Sequence, residues 1–252
     1  MLGDPELLDR ARATADVLLK HRTRDRLPRY LFDGAARGEA YLDDYAFFIA
    51  GLLDLYEATG EARWLREAIA LQQTVDARFA DPAGGYFQTA DDHETLLTRE
   101  KPDYDGAEPS GNSVALLNLL RLHELTTDDA YRARADALLA AFGPRLVMRP
   151  STMPYLLAGL DFAGGPVKEI VLVAPGDAGT LAPFRERLGR TFVPSHVLAT
   201  VLGATPDPEL TRLVPLVVEK PPLDGRPTAY VCERRVCKLP TADPAVFAEQ
   251  LR

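Results

Sequence analysis

The chain has 252 residues, room for one large domain or two smaller ones with a sizeable core. Its 46% hydrophobic and 26% charged fractions are those of an ordinary soluble globular protein, and a net charge of −8 argues against general nucleic-acid binding, which needs excess cations. No apolar stretch approaches the roughly 20 residues that span a bilayer, and MLGDPELLDR lacks a signal-peptide layout, so a cytoplasmic protein with no membrane partner is expected.

The first predicted helix covers Pro5–His21, with Asp4 as cap and Pro5 at the first helical position. Its opening resembles those of two later segments, GEARWLREAIALQQTVDARF from Gly60 and TDDAYRARADALLAAFGP from Thr127. In the middle one, Trp64, Leu65, Ala68, Leu71, Gln72, Val75 and Phe79 track one helical face. The two later segments each have an upstream partner. Asp44–Ala58 carries Phe48, Leu52, Leu55 and Tyr56 on one stripe, and Ser110–Thr126 carries Val114, Leu117, Leu120 and Leu125. Each pair reads as an αα-hairpin, closed at 59–61 and 126–128, and the unit recurs after about 60 residues. Asp81–Glu108 separates the hairpins as a long loop or small β-hairpin, a length usually kept for function. The first helix has no upstream partner. The chain therefore reads as starting inside a repeat, with an apolar flank covered by a missing N-terminal part or by a second copy in a homo-oligomer.

After Pro150 the pattern changes. PSTMPYLLAGLDFA reads as one last helix, Lys168–Pro175 as a buried strand, 180–188 as a short helix and His196–Gly203 as a second strand. Thr228–Pro240 reads as a β-hairpin turning at Arg234-Arg235, and Asp243–Arg252 as a capped closing helix. The expected division is a helical part over 1–163 and a small α/β module over 164–252.

Several strings, in this order, resemble one known group: LDDYAF, LDLYEATGEARWL, DPAGGYFQTADDHE, YDGAEPSGNSVALLNLLRL, EIVLV and TAYVCERRVCKLP. They closely resemble the YyaL-type family of thioredoxin-domain proteins, which includes the animal spermatogenesis-associated homologue. The resemblance covers essentially the whole chain. It implies the last portion of a longer protein that carries an N-terminal thioredoxin-like domain. It further implies αα-hairpins forming part of an (α/α)6 toroid, similar to N-acylglucosamine 2-epimerases and six-hairpin glycosidases. The implied fold class is therefore mainly α, followed by the small C-terminal α/β module.

Two polar strings, YLDDYA at Tyr41–Ala46 and YDGAEPSGNS at Tyr104–Ser113, stand at equivalent helix starts. One reading makes Asp43 and Asp44 caps at a positive helix end. The sharper one turns one of them into a pocket, with Asp103, Asp105 or Glu108 as the second carboxylate that glycoside chemistry needs roughly 5–10 Å away. Asp43, Asp44, Asp105 and Glu108 are the acid/base candidates. Tyr41, Tyr45, Tyr86, Phe87 and Tyr104 are aromatic platforms for a sugar, and Ser110, Asn112 and Ser113 are polar donors; Ser110 also reads as a plain cap. Epimerases of the resembling fold use a histidine pair. Of His21, His93, His123 and His196, only His93 lies in the long loop near a candidate pocket, and a solvated loop histidine is its favoured reading.

Cys232 and Cys237 pair across the predicted two-residue turn at a non-hydrogen-bonded position, where side chains come closest. A disulfide is sterically possible; in a reducing cytosol two packed thiols are favoured. No metal site, nucleotide loop or cofactor is expected. The leading expectation is a half-barrel that binds or acts on a small-molecule sugar by carboxylate chemistry. The alternatives are a non-catalytic scaffold and a thiol partner of a thioredoxin-like domain.

Overall fold

The computed structural model describes residues 4–24, 26–94, 97–203 and 205–252. Gly3, the expected opener of the first segment, lies outside them. The protein is mainly α-helical with a small α/β part towards its C-terminal end. Among the described residues no helix is long and apolar enough to cross a membrane.

Helix α1 (Pro5–Lys20) starts as the sequence predicts, with the Asp4 carboxylate accepting from the Glu6 N–H at 3.0 Å. It packs thinly: Ala15 is its buried residue, while Leu8 and Leu19 rest on the core from the edge. A β-hairpin follows, β1 (Pro28–Phe32) and β2 (Ala35–Glu39), which was not among the predicted elements. Asp33 and Gly34 form its turn, both at positive φ (49° and 71°). That is the geometry in which Asp-Gly joins antiparallel strands.

Two αα-hairpins form the body: α2 (Leu42–Thr59) with α3 (Ala62–Arg78), and α4 (Gly111–Thr126) with α5 (Asp129–Met148). They close alike. Gly60 and Thr127 both take the left-handed conformation. In each turn the preceding threonine hydroxyl donates back four residues at 2.7 Å and accepts a backbone N–H two residues ahead. The predicted α3 stripe, Trp64 to Phe79, is buried at every named position. Helices α2 and α4 lie side by side, and Asn118 donates to the Ala46 carbonyl at 2.8 Å between them. Their starts also meet: a Cβ on Gly111 would lie 2.9 Å from Leu42 Cγ and 3.1 Å from the Asp43 nitrogen.

The segment predicted as one last helix is two elements, a 3₁₀ turn at Pro150–Thr152 and helix α6 (Pro154–Gly164). Pro154 has no N–H to continue the turn, and its ring disfavours helical backbone at Met153, which sits at ψ 53°.

The α/β part has one four-stranded sheet in the order β4-β3-β5-β6. Strand β3 (Lys168–Ala174) pairs in parallel with β4 (His196–Leu202) through the crossover helix α7 (Ala182–Arg190). On its other side β3 pairs antiparallel with β5 (Thr228–Glu233), which turns at Arg234-Arg235 into β6 (Val236–Cys237). Short helices α8 (Pro208–Leu213) and α9 (Pro244–Gln250) complete it; α8 was not predicted. One sheet face, with Val171, Val173, Val197 and Tyr230, joins the same core as the helices. The other packs Ile170, Leu172 and Leu198 against Phe184 of α7 and Phe247 of α9. The half-buried Arg185 guanidinium ties the two parts, donating to the Glu57 and Ala58 carbonyls at the end of α2 and to Thr200 Oγ1 on β4.

Candidate functional site

The starts of α2 and α4 meet at Gly111, so the two polar strings converge there. Beside this contact lies an open cleft of about 410 Å³. Its polar walls are Arg29, Asp43, Asp44 and Glu108; its apolar walls are Leu18, Leu27, Pro28, Phe47 and Phe48. Three of the four predicted acid/base candidates therefore line one cavity.

Their roles within it differ. Asp44 is the third residue of α2 and reaches back to the Tyr41 N–H at 2.8 Å, as the acidic member of a capping box does. The same oxygen meets Arg29 Nη1 at 2.6 Å. Asp43 accepts from Gln88 Nε2 at 3.1 Å and from the Asp44 N–H at 3.1 Å, and its contact with Arg29 is longer, 3.4 Å. Arg29 lies 5.0 Å above the Tyr41 ring, so Tyr41 supports the guanidinium. Glu108 is exposed and makes no ion pair among the described residues. Arg29 and Gln88 are absent from the candidates read off the sequence. The Asp33-Gly34 turn is the signal that would have placed Arg29 on a strand beside the start of α2.

The remaining sequence candidates sit elsewhere. Asp105 is 7% exposed and saturated: Oδ1 accepts from the Ser110 N–H at 2.8 Å, and Oδ2 from the Tyr155 and Leu156 N–H groups at 2.8 and 3.3 Å. It ties the run-in of α4 to the start of α6. Ser110 caps α4 through its side chain, accepting from the Ser113 N–H at 3.2 Å, and its hydroxyl also bonds that of Ser113. Asn112 is fully buried and exchanges two hydrogen bonds with the Tyr86 backbone. The Tyr86 hydroxyl donates to Asp76 at 2.7 Å, in a network with Gln72 and Arg134. Burial pushes the Asp76 carboxyl above its usual range, with the Tyr86 and Gln72 hydrogen bonds opposing. Tyr45 is 1% exposed, its hydroxyl accepting from the Leu27 N–H and its ring packing on Phe79. Tyr104 is 63% exposed, Phe87 lies under Arg99, and Asp103 pairs with Arg145.

No family model matches the chain. Over 213 residues, 84% of its length, it is 38% identical to spermatogenesis-associated protein 20 of Homo sapiens. The chain is similar to one segment of that protein. The rat protein of that name aligns with the whole chain at 34% identity, and an uncharacterised Caenorhabditis elegans protein aligns with 80% of it at 32%. The chain spans 27% of the human and 33% of the rat spermatogenesis-associated protein 20, so the comparison concerns one segment of a longer molecule.

The histidines sit on separate elements. His93 stacks on Tyr41 at 5.5 Å and its Nε2 is 3.6 Å from Glu39, next to the cleft. His21 faces the Val17 and Gly34 carbonyls, and His196 that of Val193. His123 lies between Glu124 and Asp129, and its bond to Glu124 raises its imidazole above the ordinary value. Cys232 and Cys237 occupy the register read from the sequence but form a disulfide instead of the two free thiols favoured there. The two-residue turn holds the side chains at the closest-approach position of an antiparallel pair, which brings the sulfurs together.

Proposed function

We propose that the cleft where α2 and α4 begin binds a carbohydrate, with Glu108 and Asp43 as its acid/base pair. The observation that supports this is the meeting of Asp43, Asp44 and Glu108, carboxylates of successive hairpins, in one cavity with Phe47 and Phe48. Asp44 is held by Arg29 and the Tyr41 N–H, so it orients the cleft wall. Glu108 is exposed and without an ion pair among the described residues, so its carboxylate is open to a ligand, and Asp43, whose Arg29 contact is longer than that of Asp44, is its partner acid in the cleft. Such a pair suits glycoside hydrolysis or sugar epimerisation, in a body that forms part of an (α/α)6 toroid. The division of the chain at 163/164 and the cytoplasmic setting belong to the same reading.

Calorimetry with a panel of neutral and N-acetylated monosaccharides and disaccharides tests it. Binding is expected, and it is expected to weaken about tenfold or more in Glu108→Gln and Asp43→Asn. Absence of binding to the whole panel by the full-length protein removes the proposal.

The Arg29 contacts favour a second reading. A guanidinium that already occupies both aspartates makes the site a structural latch of a non-catalytic scaffold. In that case Arg29→Met lowers the melting temperature, and the sugar panel stays silent for every variant. Leu7 and Val17, 47% and 46% exposed on α1, are then the flank for a second copy or another protein surface.

A further inference from the structure

We propose that the Cys232–Cys237 disulfide is a redox-active site that takes electrons from a dithiol, with Cys237 as the sulfur attacked and Glu169 as the acid that protonates the departing Cys232 thiolate. The site lies apart from the cleft and stands independently of the carbohydrate reading.

Three observations support it. The two sulfurs differ in access: Cys232 is fully buried on the inner face of β5, while Cys237 is exposed on the edge strand β6. An incoming thiolate therefore meets Cys237 first, and the sulfur it displaces is the buried one. Next, Glu169 stands directly opposite Cys232 in the β3–β5 register. Opposed residues of an antiparallel pair share a face, with Cβ atoms about 5 Å apart. Finally, Glu169 is a buried acid whose carboxylate meets the turn that the disulfide closes. It stands in an inner strand that is apolar from Ile170 onward, 2% exposed, with no ion pair among the described residues. Its carboxylate instead accepts the Arg235 N–H, at 3.0 and 3.2 Å to the two oxygens. Arg235 lies in the turn that the disulfide closes, so the carboxyl is anchored to the loop whose bond would break.

The surroundings suit a proton donor. Burial raises the Glu169 carboxyl above the ordinary glutamate value, and the charge of Glu124 at the end of α4 adds to this; the Arg235 N–H and charge and the Lys220 ammonium oppose it. Lys220 is itself held down by burial and lies over Tyr230, whose hydroxyl is committed to the Pro221 carbonyl. His123 sits beside Glu124. The neighbouring register pair, Lys168 and Glu233, satisfies itself.

The reaction balances as follows. A thiolate of the dithiol attacks Cys237 Sγ and forms a mixed disulfide. The Cys232–Cys237 bond breaks, its electron pair goes to Cys232 Sγ, and that sulfur takes the Glu169 proton. The second thiol of the substrate loses its proton to solvent and attacks the first substrate sulfur. It displaces Cys237 as a thiolate, which solvent protonates. The dithiol loses two electrons and two protons, the cysteine pair gains both, and Glu169 regains its proton from solvent.

The test uses the air-oxidised full chain, dithiothreitol as the dithiol and, for the single-cysteine variants, glutathione disulfide as the probe. Reduction rates are divided by thiolate concentration from about pH 5 to 9. In the wild type this corrected rate is expected to fall about tenfold as Glu169 deprotonates, and in Glu169→Gln to be low and flat. Gln keeps an acceptor for the Arg235 N–H, and Glu169→Asp, which keeps the acid, is expected to retain the pH dependence. In Cys232→Ser, the Cys237 thiolate is expected to attack glutathione disulfide, release one glutathione thiolate and carry the other half as a mixed disulfide seen by peptide mass spectrometry, at least about tenfold faster than Cys232 does in Cys237→Ser. Two free thiols after air oxidation, equal capture by the two cysteines, or a corrected profile that Glu169→Gln leaves unchanged would each overturn the proposal.

Discussion

Asp105→Asn separates a structural acid from a chemical one. The wild-type carboxylate accepts three N–H groups, from Ser110, Tyr155 and Leu156, at 7% exposure. Asparagine keeps one acceptor oxygen. If that oxygen stays with Tyr155 and Leu156, its NH₂ is turned onto the Ser110 N–H, a donor against a donor. Losing one charge-assisted bond and burying one unsatisfied N–H costs about 2–3 kcal/mol. Asp105→Ala leaves all three donors unmet and costs about 4–5 kcal/mol. Urea melts followed by Trp64 fluorescence provide the assay, since this is the chain's single tryptophan and it is fully buried. With an m-value of about 3 kcal/mol per M, the Asn midpoint falls by somewhat under about 1 M and the Ala midpoint by about 1.5 M. Both variants should lose amide protection first at the start of α6. Midpoints within about 0.3 M of wild type would refute the capping account, and loss of sugar binding at unchanged stability would return Asp105 to the acid/base candidates.

Three other perturbations probe different joints. Gly111→Ala drives a Cβ into Leu42 and the Asp43 nitrogen, so it should cost about 1–3 kcal/mol in urea melts. It should also widen the cleft enough to weaken any ligand found there. Arg185→Met removes donors from the Glu57 and Ala58 carbonyls and from Thr200, so hydrogen exchange at the α2–α3 turn should rise before global unfolding. Asp81 contributes to the pH dependence. Its hydrogen bond to Lys101, then that to the Ala83 N–H, hold its carboxyl below the usual value. The folded value is thus below the unfolded one, so its stabilisation is present above the unfolded pKa and is lost as pH falls through the folded pKa. Asp81→Asn should flatten the acid limb of stability below about pH 4 and lower stability at neutral pH.

Apart from α8 and the bounds of α6, the helices were legible because each has a strong local signal. Trp64 through Phe79 repeat at helical spacing, Asp4-Pro5 and Asp243-Pro244 mark helix starts, and Thr59-Gly60 and Thr126-Thr127 mark closures. The β3 run Lys168–Ala174 and the Arg234-Arg235 turn were likewise local, and the cysteine register followed from the turn. The β1–β2 hairpin was missed although Asp33-Gly34 announces it, because Tyr30, Phe32 and the β2 residues alternate weakly and stay exposed. Missing it concealed Arg29.

The sequence by itself determined where helices begin, which stripe each buries, and that two acidic strings open equivalent hairpins. It could not sort the acids within those strings. Asp43, Asp44, Asp105 and Glu108 look alike as residues, and which one is spent on backbone N–H groups depends on partners as far away as Leu156. Only the tertiary structure brought α6 onto Asp105, Arg29 onto Asp44 and the Arg235 turn onto Glu169. A carboxylate's chemistry is set by the donors and water around it, and those arrive from distant parts of the chain.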